Sequence, residues 1–266
     1  MLKSGFFPFH IVDQSPWPLY MSGASYMLLL SGVMYVYNIP NVGFLSMLSI
    51  LFFFLTLYGW LRDVCNEGFL QGNHTWLVQK GLKMGMVLFI TSEVLFFFSF
   101  FWSLFYYSIS PSVQIYSWPP TGVASVDPMG VPLLGTLILI SSGISVTWSH
   151  HSIIEGNKSS ATISLALTIL LGILFSILQF TEYLECSFTI SDSVFGSIFF
   201  LSTGFHGIHV IIGTMMLLVC LIRIMNNHFS SKHHVGYEAA IWYWHFVDVV
   251  WLFLYVCMYW WGSPAL

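Results

Sequence analysis

Seven apolar stretches, each long enough to cross a lipid bilayer, constrain this chain more than any other feature. A helical span needs roughly 20 apolar residues. Such stretches run over 17–37, 42–61, 84–109, 131–149, 161–181, 193–222 and 239–262. Runs such as Leu51-Phe52-Phe53-Phe54-Leu55 do not alternate polar and apolar residues as the strands of a membrane barrel would, so the spans are read as helices. The expected fold class is an all-α membrane protein with seven transmembrane helices. The third and sixth stretches exceed the minimum and should tilt or project beyond the lipid. Composition agrees: only 7% of the 266 residues are charged, against roughly 25% in a soluble domain. With 7 basic residues and a net charge of -4, the chain has no basic patch for nucleic acid.

The basic residues fix an expected orientation. Seven helices put the N-terminal segment and the 2–3, 4–5 and 6–7 loops on one side. Lys3, Arg62, Lys80, Lys83, Lys158, Arg223 and Lys232 all fall there. The positive-inside rule then places the N-terminus inside and the C-terminus outside. The outer loops are expected to carry Asp127, Glu182, Glu185 and Asp192, and Trp60, Trp118, Trp260 and Trp261 stand near helix ends as interfacial anchors do. The short link Asn38 to Asn41 makes helices 1 and 2 an antiparallel hairpin. The expected organisation is one membrane domain with a hairpin over 15–62, an inner connecting loop over 63–83 that could act as a hinge, and a five-helix bundle over 84–262.

Other readings are closed off. Cys65, Cys186, Cys220 and Cys257 lie too far apart for a zinc or redox motif and are read as isolated thiols. The N-terminus is not a signal peptide, since His10, Asp13 and two prolines break its apolar run. The glycosylation-like triplets at Asn73 and Asn157 are read as chance matches. There is no Gly-rich phosphate loop or serine elbow, and every lysine lies outside the spans, which excludes a retinal Schiff base.

Polar residues inside the spans therefore carry the functional question, because an ionisable group at mid-bilayer costs roughly 2.5–3.5 kcal/mol on insertion scales. Glu93, in ITSEVLFFFSFFW, is either a proton-linked or lipid-pocket carboxylate or a helix–helix hydrogen bonder. His206 and His209 are three apart and share a helix face, with Gly204, Gly207 and Gly213 permitting close helix approach. His245 and Asp248 form a second such pair, in which a carboxylate could fix a histidine tautomer. His206, His209 and His245 could form a buried metal or haem site. Ligand logic favours interhelical hydrogen bonding instead, because no cysteine or carboxylate cluster completes a set. The remaining histidines, His10, His74, His150, His151, His228, His233 and His234, make an inner polar rim suited to anionic lipid head groups or a partner subunit.

Several segments, in order, resemble the subunit III family of haem–copper cytochrome c oxidases. They include SPWP (15–18), RDV (62–64), QGNHT before helix 3, SEVLFF (92–97), WPPTG (118–122), VTWSHHSIIEGN, FTISDSVFGSIFFLSTGFHGIHVIIGT and EAAIWYWHFVDVVWLFLYVCMYWWGS. The resemblance spans nearly the whole chain and looks mitochondrial in type. It implies a core subunit of respiratory complex IV with no redox centre or metal of its own, haem a and copper being held by subunits I and II. It implies a V of two helix groups, helices 1–2 and 3–7, with phospholipid in the cleft, cardiolipin being one candidate. It also implies accessory subunits, membership of a respiratory supercomplex, and a mitochondrial inner membrane location with the N-terminus in the matrix. The bacterial plasma membrane is the alternative location. The family role is stabilising the oxidase, holding lipid and assisting proton uptake.

By this resemblance Glu93 is the family's carbodiimide-reactive carboxylate, and Arg62, Glu67, His74, Arg223, His228 and His233 line the lipid cleft. Arginine suits that task because its fork grips phosphate bidentately. Asn66 and Gly68 stand where many relatives place Arg and Ser, and Asn73 replaces a first histidine before His74, which removes one basic lipid contact. The alternatives are subunit III of a quinol oxidase and a free-standing seven-helix channel or receptor.

Overall fold

The computed structural model describes residues 8–111 and 117–263. Lys3 lies outside them. Among the described residues there are seven helices long and apolar enough to cross a membrane, and no strand. They are α1 (Trp17–Val36), α2 (Val42–Phe69), α3 (Trp76–Ile109), α4 (Val131–Ile154), α5 (Lys158–Glu185), α6 (Val194–Met225) and α7 (Val235–Leu254). A π-helical turn, Tyr255–Trp260, ends α7. The all-α, seven-span reading is thus what the chain folds into. At 1.5 Å per residue, the 34 residues of α3 and the 32 of α6 reach roughly 50 Å, well past a hydrocarbon core of roughly 30 Å.

The expected connecting loop over 63–83 is mostly helix. α2 runs on to Phe69 and α3 starts at Trp76, so only residues 70–75 are non-helical. Arg62, Asp63 and Glu67 end the apolar stretch without ending the helix, because water or lipid head groups can solvate them on a helix that outlasts the hydrocarbon. Glu182, expected in an outer loop, is likewise helical, lying inside α5 and buried.

The chain divides into two compact units, Met1–Leu82 and Lys83–Leu266. In the first, α1 and α2 pack as a hairpin. The turn between them uses Asn38 and Asn41 in the left-handed region (φ 54 and 65), which asparagine tolerates better than most residues. The seam repeats every seventh residue. Trp17 and Ser31 of α1 meet Asp63 and Ser49 of α2 in antiparallel order, with Ala24 and Thr56 buried midway along each helix. Ser31 Oγ and Ser49 Oγ are 2.9 Å apart and buried, and Trp17 Nε1 donates to Asp63 Oδ2 at 2.6 Å. Ala24 is fully buried between them. Small residues at Ala24, Ser31 and Ser49 of this repeat allow the two helices to approach closely.

In the second unit α4 packs on α5, α5 on α6, α6 on α7, and α7 back on α4, forming a closed four-helix ring. A second seam, with a donor at every seventh residue of α7, joins α4 to α7. Tyr237 donates to Ser149 Oγ at 2.6 Å, Trp244 to Ser142 Oγ at 2.9 Å and Trp251 to Thr136 Oγ1 at 3.0 Å. All three rings are buried, so each polar edge needs the acceptor it finds. Trp244 fits because Gly172 and Gly213 lack side chains: a Cβ there would stand 2.7 and 2.9 Å from its ring. Gly204 and Gly207, expected to help helix approach, meet nothing within 4 Å. α3 lies against α6 and α7 through ring contacts such as Phe96–Phe205 and Phe101–Phe253. The chain turns from α4 to α5 through Gly156 at φ +80, and Asn157 caps α5 by accepting from Ser160 N at 3.2 Å.

Candidate functional site

Glu93 and His209 meet between α3 and α6. Glu93 Oε2 is 2.8 Å from His209 Nε2, and both side chains are largely buried. The second ring nitrogen decides the chemistry. His209 Nδ1 stands 2.6 Å from the carbonyl of Phe205. A carbonyl only accepts, so Nδ1 carries the proton and Nε2 of a neutral ring is a lone pair. The contact with Glu93 therefore needs one more proton, held as a carboxylic acid donating to imidazole or as an imidazolium donating to carboxylate. Tyr243 stacks on the His209 ring, with Phe96, Phe97 and Phe246 around it. The pair thus sits in an aromatic pocket.

His206, one turn away on α6, faces elsewhere. It is fully buried, with Nε2 3.2 Å from the carbonyl of Val247. Its ring lies against Phe175 and Trp251, and Nδ1 has no hydrogen-bond partner. His245 is half-exposed, with Nε2 3.4 Å from Thr147 Oγ1. Asp248 Oδ2 is 4.0 Å from His245 Nδ1, beyond hydrogen-bond reach. Asp248 occupies the space left by Gly143, where a Cβ would stand 2.8 Å from its carboxylate. His206, His209 and His245 thus bind to three different partners and do not converge.

The six expected lipid residues divide between the units. In the first, Arg62 Nη2 pairs with Asp63 Oδ1 at 2.9 Å. Glu67 and His74 come together with His10, their ligand atoms within 4.8 Å of one another. Gly68 leaves the space that the His74 ring fills, a Cβ there standing 2.5 Å from Nδ1. In the second, the Arg223 guanidinium lies 4.3 Å over the Phe229 ring, and its Nε is buried without a hydrogen-bond partner. The backbone of His228 bonds the Arg223 carbonyl, and that of His233 bonds Ser230 Oγ.

Sequence reasoning missed a further buried carboxylate. Tyr259 donates to Glu182 Oε1 at 2.7 Å, and Gln179 Nε2 lies 3.3 Å from both. The signal was there, in Gln179 and Glu182 three apart at the end of an apolar helix. Cys65, Cys186 and Cys257 are in no disulfide. Burial first, then the nearby Glu182, push the Cys186 thiol up to about 11.

These features define a multi-pass helical membrane protein whose described buried polar groups, Glu93 with His209 and Glu182 with Tyr259 among them, meet one another across helix–helix contacts. The family model for cytochrome c oxidase subunit III matches residues 7–263. Proteins described as cytochrome c oxidase subunit 3 are 55% identical in Pisaster ochraceus over 258 residues (96% of this chain, 98% of that one), and 56% identical in Drosophila melanogaster (96% and 97%) and in Osphranter robustus (96% and 97%). The chain belongs to the cytochrome c oxidase subunit III family, inner-membrane multi-pass subunits of the respiratory enzyme complex IV.

Proposed function

We propose that within its oxidase this chain carries no redox centre and serves the catalytic subunit by stabilising it, holding structural phospholipid and assisting proton uptake. Electrons from cytochrome c would reach oxygen through the haem a and copper of subunits I and II, with accessory subunits around them. The basic residues support an orientation with the N-terminus in the matrix. Arg62, Glu67 and His74 in one unit, and Arg223, His228 and His233 in the other, are the phospholipid contacts of this reading. The buried, unpartnered Nε of Arg223 supports it, since a phosphate oxygen would satisfy that donor.

The observation that carries the proton role is the Glu93–His209 pair. Carbodiimides attack protonated carboxyls, and here a proton is shared between a carboxyl and an imidazole 2.8 Å apart. Glu93→Gln tests it. The amide can donate to His209 Nε2 and keep the contact, but it cannot release the proton. The expected result is an assembled oxidase with slower proton uptake or a severalfold shorter turnover lifetime, read by proton-uptake kinetics and the decay of activity during turnover. Loss of the whole complex would assign Glu93 to structure and end the proton reading.

A further inference from the structure

A second cluster of histidine and carboxylate lies outside the pair just described, where α4 finishes and α7 begins. His150 belongs to the last turns of α4, His234 caps α7, and Glu238 sits four residues on in the first turn of α7. Their ligand atoms lie within 4.8 Å of one another. His234 Nε2 is 3.5 Å from Glu238 Oε1. The His234 and His150 rings stand edge to face at 5.5 Å.

The hydrogen bonds leave this cluster electron-rich. His234 Nδ1 lies 2.9 Å from the carbonyl of Ser230, so it holds the proton and Nε2 presents a lone pair. That lone pair faces a carboxylate oxygen, and two acceptors facing each other are reconciled by a shared proton or by a metal ion between them. His150 Nε2 is buried and has no hydrogen-bond partner, which makes it a third donor without an acceptor or a metal. A histidine whose outer N–H is held by a backbone carbonyl is the usual form of a metal-ligating imidazole.

We propose that His150, His234 and Glu238 form a zinc-type divalent cation site, with water completing the coordination. Two ligands at about 2.0–2.1 Å from zinc and a tetrahedral angle stand about 3.3 Å apart, and the His234–Glu238 spacing of 3.5 Å fits that. Glu238 is free to ligate through Oε1 because Lys83 pairs with its other oxygen, Oε2. The Lys83 charge opposes a bound cation, so the site is tuned to moderate affinity. A bound ion would tie the end of α4 to the start of α7. His151, next along α4, is not part of the cluster.

The test uses the purified oxidase complex, washed with chelator and dialysed to equilibrium against ⁶⁵Zn²⁺. The complex should lose one zinc equivalent with His150→Gln or His234→Gln and keep it with His151→Gln. Lys83→Gln should lower the zinc Kd by about tenfold. Equal zinc stoichiometry in wild type, His150→Gln and His234→Gln would overturn the proposal. Should those variants fail to assemble, zinc-edge anomalous diffraction from the wild-type complex soaked in Zn²⁺ decides: a peak bonded to the three side chains supports the site, and none there overturns it.

Discussion

The hairpin and the four-helix ring solve the same problem with different materials. Both run antiparallel seams in which at least one helix contributes every seventh residue, and both must satisfy polar groups that lipid cannot solvate. The α1–α2 seam uses mostly small residues, with Ser31 against Ser49, Ala24 next along, and a single ring, Trp17, over Gly59 at its far end. The α4–α7 seam uses Tyr237, Trp244 and Trp251 as donors to hydroxyls on α4. Burial follows the material: 11% of the α1 span is buried against 56% of the α7 span. Small residues bring two backbones together and leave the outer faces of the pair exposed, whereas three successive buried rings build an interior. The two seams should therefore fail differently.

The largest expected effect is at the ring. Trp244→Ala empties a site bounded by Gly172 and Gly213 and removes the Ser142 bond, at about 3–5 kcal/mol. It should abolish stable incorporation of this chain, read as loss of the complex on native gels. If assembly survives, the ring is not the stronger of the two seams. Next comes Ser142→Ala, which keeps the Trp244 ring but orphans its N–H at about 1–2 kcal/mol. The complex should assemble and release this chain at a lower temperature in a thermal dissociation assay. The smallest effect belongs to the hairpin. Ser31→Ala with Ser49→Ala removes both partners of one bond and leaves none unpaired, costing about 0.6 kcal/mol. A dissociation temperature lowered as far as by Ser142→Ala would erase the distinction drawn here.

The helices were legible because apolar length is a local property. The starts expected at Trp17, Val42 and Val131 are the starts observed. The ends were harder to place, since Arg62, Asp63 and Glu67 look like loop residues when apolar count is the criterion and are helical in fact. The seams were not read, although Tyr237, Trp244 and Trp251 stand seven apart in plain view. Their partners Ser149, Ser142 and Thr136 lie about a hundred residues earlier, and a repeat has meaning only once its facing helix is known. The same holds for the site. Glu93 and His209 each stood out as costly residues in apolar spans, but the bond between them joins residues 116 apart. Glu182 escaped because counting apolar residues closed its span at Thr181.

The link between α1 and α2 has a consequence for how the chain enters a membrane. Residues 37–41 connect the two helices, and even fully extended they reach roughly 18 Å, short of a hydrocarbon core of roughly 30 Å. Once α1 is across, the tether cannot trail back, so α2 must begin its passage from the far face. The two helices are therefore committed to the bilayer as one insertion event, and the serine pair of their seam can close while the rest of the polypeptide is still being made.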